Sequence, residues 1–291
     1  MERIQEAIEK ARRERQGNIG NESDLSSDSA QSDGPLGRGS SLANKSGSAK
    51  GSARQNERDE NSIRIEYSQT KTIALDEADL KERRIVAGFA HDSRSEPYRQ
   101  LRSQILKKFR DNNWQTLAIT SPKTGSGRTL TAVNLAISLS LEANQTVLLV
   151  DLDLRAPGVA GCLGIKEVDA GLMDYITGES DLKDVLINPG YERLVVIPGT
   201  PQGAFTSEML SSPEMKRAVS ELVERYPSRL IVFDLPAVLD HDDALVFAPK
   251  CDATLMVLEE GGSKKADVER AYQLLEGTNI IGSVLNKVRY G

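Results

Sequence analysis

Six short runs of aliphatic and β-branched residues alternate with helical stretches in this chain, and they limit its possible folds more than any other feature. They cover residues 117–120, 147–150, 194–197, 230–233, 253–258 and 280–285. Strands that are apolar along their whole length are buried on both faces, and their alternation with helices is typical of a parallel sheet. The sequence therefore predicts an α/β fold with a mostly parallel sheet covered by helices on both faces. Ligands bind such sheets at the carboxyl ends of the strands.

The first 62 residues differ in composition from the rest. Apolar residues recur at helical spacing among charges at the start, so we expect an amphipathic helix over 1–16 that is either a frayed terminus or a docking helix for a partner. Residues 17–62 are rich in Ser, Gly, Asn and Asp and contain no aromatic residue. Such a segment cannot bury enough apolar surface to offset the entropy of ordering it. We expect a disordered linker over 17–62, followed by one folded domain over 63–291.

The overall composition argues against several classes of protein. A net charge of −6 disfavours nucleic acid as a partner, because phosphate binding needs an excess of Lys and Arg. No apolar run reaches the roughly 18 residues of a membrane span, and the charged start does not resemble a secretory signal, so we expect a cytoplasmic protein. Cys162 and Cys251 are far apart and lack metal-ligand spacing, which favours reduced core thiols over a zinc site.

A glycine-containing loop, Ser121-Pro-Lys-Thr-Gly-Ser-Gly-Arg-Thr, joins the first apolar run to a helical stretch. A loop in this place turns backbone N–H groups and a helix N-terminus toward phosphate. Gly125 and Gly127 let the backbone close around the anion, and Thr129 offers a hydroxyl for magnesium. Arg128 stands where this motif normally has lysine. Taken alone, the loop could also be an ordinary turn.

Acidic residues follow two other apolar runs and favour the phosphate-binding interpretation. Asp151 and Asp153 come after the run 147–150 with a spacing that puts both carboxylates on one side, and Asp234 follows the run 230–233. Three acids at the mouth of a parallel sheet, beside a phosphate loop, are what a magnesium–nucleotide site requires. The alternative is that they are turn and cap residues. In the loop and the start of its helix, the predicted ATP-binding residues are Lys123, Thr124, Gly125, Ser126, Gly127, Arg128, Thr129 and Leu130.

From about residue 96 to residue 287, the chain resembles bacterial tyrosine kinases of polysaccharide biosynthesis, most closely the exosortase-associated tyrosine autokinases. These belong to the P-loop superfamily that holds the Min and Par ATPases. The resemblance rests on the Walker A loop with Arg128 and on the segments VDLDLRAP at 150–157, GLMDYITGE at 171–179, SEMLSSPEM at 207–215, FDLPAVL at 233–239 and LNK at 285–287. The amphipathic start also resembles that branch.

The resemblance implies roles for the site residues. Asp151 and Asp153 become metal-associated acids, one of which activates the attacking hydroxyl, and Asp234 becomes the Walker B acid that binds Mg²⁺ together with Thr129 and Asp151. The resemblance also makes Arg128 a catalytic residue, together with Asp151 and Asp153. It adds Asn286 of the LNK segment to the predicted ATP-binding residues.

The resemblance also implies contacts with other chains. Glu96, Arg99 and Arg102 match an ExxRxxR element with which these kinases assemble into rings, although the same residues could form an exposed charged helix face. Lys123 stands where Min and Par ATPases carry a lysine that reaches across a dimer, or it is a solvated loop lysine. The implied partner is an inner-membrane polysaccharide chain-length regulator, which would hold the protein peripherally at that membrane.

Two departures from the family pattern bear on activity. The Walker lysine is Arg128, which puts the rate of catalysis in question, and Tyr290 is the only tyrosine in the final residues, where such kinases carry a tyrosine-rich tail. The leading hypothesis is an ATP-dependent protein tyrosine autokinase that regulates exopolysaccharide biosynthesis and export. The alternatives are a catalytically weakened nucleotide-binding switch of the same family and a Min- or Par-like positioning ATPase.

Overall fold

A computed structural model describes residues 70–226 and 228–288 of the chain. The helix predicted over 1–16, the linker predicted over 17–62 and Tyr290 lie outside the described residues. In the described part, the strands are β1 Lys71–Thr72, β2 Thr116–Thr120, β3 Thr146–Asp151, β4 Ile187–Asn188, β5 Leu194–Ile197, β6 Arg229–Asp234, β7 Ala253–Glu259 and β8 Ile280–Asn286.

Helices connect these strands, and the helical stretch expected after the glycine-containing loop is a helix. In the same part of the chain, the α-helices are α1 Glu77–Glu82, α2 Glu96–Asn112, α3 Arg128–Ser140, α4 Val159–Cys162, α5 Leu172–Ile176, α6 Leu182–Val185, α7 Thr206–Ser211, α8 Pro213–Arg225, α9 Asp243–Phe247 and α10 Lys265–Leu274. Short 3-10 turns occupy Ser93–Ser95 and Ala248–Lys250.

The eight described strands form one sheet in the order β1-β4-β5-β3-β6-β2-β7-β8. Only the β4–β5 pair in this sheet is antiparallel, and the other neighbouring strands run parallel. All six apolar runs predicted as strands are strands. The additional strands β1 and β4 have two residues each, which is too short to give a recognisable pattern in a sequence.

Apolar side chains fill both sides of the sheet. Along β2, Leu117 and Ile119 join one core cluster, whereas Ala118 joins a second cluster on the opposite face. Helix α3 packs into the first cluster and α8 into the second, which confirms the α/β sheet covered on both faces. Eleven of the thirteen residues of α3 are buried, so this helix is embedded in the domain.

The order of the strands brings the polar motifs to one edge. Strand β6 lies between β2 and β3, and all three run parallel. Their carboxyl ends therefore meet at the same edge of the sheet. Asp151, the last residue of β3, is aligned with Asp234, the last residue of β6, and the glycine-containing loop leaves the end of β2 beside them.

Candidate nucleotide-binding site

The glycine-containing loop turns sharply from β2 into the N-terminus of α3. Gly125 and Gly127 have φ angles of +90° and +84°, a region that favours glycine over residues with a side chain. At Gly127, a Cβ atom would also lie only 2.1 Å from the Asn286 side-chain nitrogen. Because the helix begins directly after Gly127, its unpaired N–H groups and positive dipole end face the loop, which is the arrangement that binds phosphate.

Three side chains from later parts of the chain hold this loop in place. The Asp240 carboxylate accepts hydrogen bonds from the backbone N–H and the hydroxyl of Thr124, at 2.9 and 2.7 Å. Asn286 Nδ2 donates to the carbonyl oxygen of Ser126 at 3.0 Å. Lys123 Nζ pairs with the Asp267 carboxylate of α10 at 2.8 Å. The loop is therefore tied to the segment after β6, to α10 and to β8.

Arg128 does not extend toward solvent from the helix N-terminus. Its Nε donates to the carbonyl oxygen of Leu235 at 2.6 Å, and its Nη2 donates to the carboxylate of Asp153. The side chains of Arg128 and Asp153 are only 9% and 6% exposed, so this is a buried ion pair. The residue that replaces the Walker lysine is thus bound to one of the predicted catalytic acids.

Asp151 is committed to the backbone of its own loop. One of its oxygens accepts from the N–H of Asp153 at 3.1 Å, and the other accepts from the N–H groups of Gly158 and Val159, both at 2.9 Å. Burial raises the pKa of the Asp151 carboxyl to about 6, while the N–H donors of Val159 and Asp153 oppose that rise. In this state, Asp151 shapes the loop after β3.

Asp234 is the third acid at this edge of the sheet. It is fully buried, and neither oxygen has a hydrogen bond of good geometry. The Thr129 hydroxyl is close enough to lower its pKa without completing such a bond. Burial raises the pKa of the Asp234 carboxyl to about 8, the neighbouring Asp151 adds to the rise, and Arg128 and Thr129 oppose it. A buried carboxylate without partners is costly unless a cation or a proton compensates it.

These residues fit a magnesium ion that is held jointly with a nucleotide. Mg²⁺ in phosphate-transfer sites usually takes one or two protein oxygens and completes its shell with water and phosphate oxygens. Asp234 and Thr129 supply that number of ligands at the phosphate loop. The described residues contain no group of three or more His, Cys, Asp or Glu side chains able to hold a metal ion by themselves.

One predicted contact element, the charged face of α2, lies near the C-terminal end of α3. On α2, Arg99 pairs with Glu96 at 3.1 Å, while Arg102 Nε lies 3.0 Å from the Glu142 carboxylate and its Nη1 donates to the carbonyl oxygen of Ser138. Leu130, predicted at the nucleotide, stands in the first turn of α3, and its half-buried side chain packs against the core.

Comparison with known proteins agrees with this geometry. A family model described as an AAA domain matches residues 114–248. A tyrosine-protein kinase, CpsD of Streptococcus pneumoniae, is 31% identical over 176 residues, which are 60% of this chain and 76% of that protein. The chain belongs to the bacterial tyrosine kinase family.

Solved structures place this kinase-family chain within the P-loop superfamily. The kinase domain of the Escherichia coli tyrosine kinase ETK has a TM-score of 0.66 and 25% identity, and the match covers 81% of this chain and 94% of that one. The septum site-determining protein MinD of Pyrococcus horikoshii, solved as a complex with Mg-ADP, has a TM-score of 0.51 and 26% identity, covering 61% and 71% of the two chains.

Several residues that shape the kinase-family site were not predicted from the sequence. Asp240 and Asp267 hold the phosphate loop from a distance of more than 100 residues along the chain. Asp243, at the start of α9, accepts from Arg155 Nε at 3.0 Å and from the hydroxyl of Thr206. Asp240 lies in a loop, and Asp243 and Asp267 lie in helices. No sequence motif marks these three acids, so only the folded structure shows their partners.

Proposed function

We propose that this chain binds ATP with Mg²⁺ and transfers the γ-phosphoryl group to a protein tyrosine hydroxyl. The observation that carries the proposal is the orphaned, buried carboxylate of Asp234 beside a phosphate loop in a member of the tyrosine kinase family. Phosphoryl transfer needs mainly positioning and charge neutralisation, and a site that presents helix N–H groups and an unpaired acid supplies both.

In the proposed reaction, the tyrosine oxygen forms a bond to the γ-phosphorus while the bond between that phosphorus and the bridging oxygen of ADP breaks. The hydroxyl proton passes to a carboxylate of the Asp151–Asp153 segment. Asp234 and Thr129, with Asp151 nearby, would hold Mg²⁺, which would supply positive charge to the phosphates. The backbone of residues 124–129 orients the phosphates, and Asn286 supports that backbone from β8.

Arg128 has two candidate roles in this scheme. As a catalytic residue, it would neutralise charge on the phosphates, for which its guanidinium must leave Asp153 and the Leu235 carbonyl. The buried ion pair also favours the second candidate function, a nucleotide-binding switch with weak chemistry, because both partners are occupied by each other. A Min- or Par-like positioning ATPase is supported less, since Lys123 pairs within its own chain with Asp267.

The biological setting is part of the proposal. The chain would act as an autokinase that regulates exopolysaccharide biosynthesis and export, at the cytoplasmic face of the inner membrane, by docking on a chain-length regulator. None of the helices in the described part of the chain has the length and apolar character that a membrane span needs. Glu96, Arg99 and Arg102 would link copies of the kinase.

The test is to incubate the pure full-length protein with Mg-ATP and to measure phosphotyrosine by mass spectrometry beside ATP hydrolysis and nucleotide affinity. We expect phosphotyrosine in the wild type, a faster rate in Arg128→Lys because a compact ammonium fits the loop more easily, and loss of the signal in Asp234→Asn. A tenfold gain would correspond to about 1.4 kcal/mol of transition-state stabilisation.

Two results would favour the alternatives over the kinase. Nucleotide binding with no phosphotyrosine in either the wild type or Arg128→Lys would reject the kinase in favour of the switch. Hydrolysis that a partner stimulates, again without phosphotyrosine, would support the positioning ATPase.

A further inference from the structure

Phe205 is an exposed aromatic residue in a strained backbone conformation at the rim of the nucleotide-binding edge. Its side chain is 69% exposed, more than any other large hydrophobic residue in the part of the chain that the structure describes. Its φ and ψ angles of +64° and +32° lie in the left-handed region, which costs free energy for a residue with a side chain. Strain of this kind persists where the surrounding structure enforces it, and it clusters at functional sites.

The loop that carries Phe205 passes close to Asp151. It follows β5 and spans residues 198–205. At Gly199 an added Cβ atom would lie 2.8 Å from the Pro157 side chain and 3.2 Å from the Asp151 carboxyl carbon, so the loop backbone passes close to both side chains. Further along, the N–H of Gln202 donates to the carbonyl oxygen of Leu154 at 2.7 Å. The loop is thereby fixed to the segment that holds Asp151 and Asp153.

A buried network fixes the strained residue on its other side. The hydroxyl of Thr206, which directly follows Phe205, donates to Asp243, whose second oxygen accepts from Arg155 Nε at 3.0 Å. Thr206 and Asp243 are almost completely buried, whereas the Arg155 side chain is one-third exposed. Asp243 therefore ties the loops after β3, β5 and β6 together directly beside Phe205.

We propose that Phe205 is the docking residue for the phosphate acceptor and that its ring packs against the tyrosyl ring of the incoming segment. This rests on the proposed function, because a tyrosine kinase must hold a phenol ring at the edge where the γ-phosphate lies. An exposed aromatic ring favours another ring by offset or edge-to-face packing. The proposal makes Phe205 a residue that determines specificity for the acceptor, with no role in binding the nucleotide.

The test measures acceptor binding without requiring transfer. Two labelled peptides of 12 residues, identical except for one tyrosine replaced by alanine, are titrated with full-length protein in Mg-ADP and followed by fluorescence anisotropy. We expect the wild type to bind the tyrosine peptide about five- to tenfold more tightly than the alanine peptide, as one aromatic contact allows. Phe205→Ala should abolish this preference, and Phe205→Trp should keep it.

Two further variants distinguish docking from a structural effect. Phe205→Gly removes the ring and relieves the strain, so it should lose the preference while its melting temperature stays the same or rises. Leu141→Ala removes an exposed hydrophobic residue just after the far end of α3 and should leave the preference unchanged. ADP affinity should be equal in all of these variants.

The outcomes separate this inference from the proposed function. A tyrosine preference that survives in Phe205→Ala, or is missing from the wild type, would overturn the docking role whether or not the protein forms phosphotyrosine. A preference that depends on Phe205 in a protein that forms no phosphotyrosine would leave the docking site standing and reject the kinase reaction.

Discussion

The Asp234 side chain has opposite effects on stability and on function. A carboxyl group whose pKa rises to about 8 in the folded state binds its proton more tightly there than in the unfolded chain, where carboxyl groups titrate near about 4. Without Mg²⁺, the folded state is therefore penalised as pH rises from about 4 to about 8. The same burial leaves two oxygens ready for a cation.

Asp234→Asn should weaken Mg-ATP binding and stabilise the metal-free protein at neutral pH. Because the variant cannot ionise at this position, its free energy of unfolding should fall less between pH 5 and pH 8, where one group can contribute at most about 1.4 kcal/mol per pH unit. The measurements are calorimetric titration with Mg-ATP and denaturant unfolding in a chelator. Asp169→Asn, at an exposed acid, is the control. An unchanged pH slope together with unchanged Mg-ATP affinity would remove Asp234 from the metal site.

The buried pair of Arg128 and Asp153 leads to a second prediction at this scale. Asp153→Asn removes the negative charge that holds the guanidinium, so the arginine becomes available to phosphate. We expect Mg-free ADP to bind about tenfold more tightly, which is the order of one charge-assisted hydrogen bond, while phosphoryl transfer falls.

A double-mutant cycle provides the control for this effect. In an Arg128→Met background, Asp153→Asn should give no gain in ADP affinity, because the residue that it releases is missing. Equal gains with and without Arg128 would mean that Asp153 acts on the nucleotide directly, through repulsion of its phosphates.

At the scale of elements, the sequence was most informative where the residues of a single strand or loop are enough to predict its conformation. The apolar runs predicted the six long strands because burial on both faces requires a continuous apolar sequence. The phosphate loop was equally accessible, since Gly125 and Gly127 adopt positive φ angles that few other residues tolerate. The acids after β3 and β6 could be assigned to one edge because the ends of parallel strands meet there.

What the sequence could not supply were contacts between elements distant along the chain. Nothing in the order of residues indicates that Asp240 binds Thr124 or that Asp267 binds Lys123. The sequence also does not indicate in which direction a long side chain extends. Arg128 was predicted to face phosphate from the motif alone, whereas in the folded chain its guanidinium finds Asp153 and the Leu235 carbonyl first.

For the whole molecule, the proposed assembly depends on charged residues that already have partners in their own chain. Arg99→Ala together with Arg102→Ala should give a smaller particle by light scattering, if Glu96 of a neighbouring copy pairs with these arginines. Exposed pairs contribute only about 0–1 kcal/mol each, so several repeated contacts would be needed.

Glu142→Gln is the matched control for this assembly. It removes the in-chain partner of Arg102 and leaves Glu96 and Arg99 intact, so the particle mass should stay the same while thermal stability falls slightly. An unchanged mass in the double arginine variant would assign these residues to an ordinary helix face.

Helix α3 is in effect a rigid rod that runs from the phosphate loop to α2. It is about 20 Å long at 1.5 Å per residue. Its first residue, Arg128, pairs with Asp153. Near its other end, the Ser138 carbonyl oxygen accepts from Arg102 Nη1, and the Ser138 hydroxyl donates to the Tyr98 carbonyl oxygen. Since the rod is embedded along its length, it cannot bend to absorb a displacement at the loop. A displacement of the N-terminal end of α3 would therefore also displace its C-terminal end. That end contacts α2, the helix through which copies of the kinase are proposed to meet.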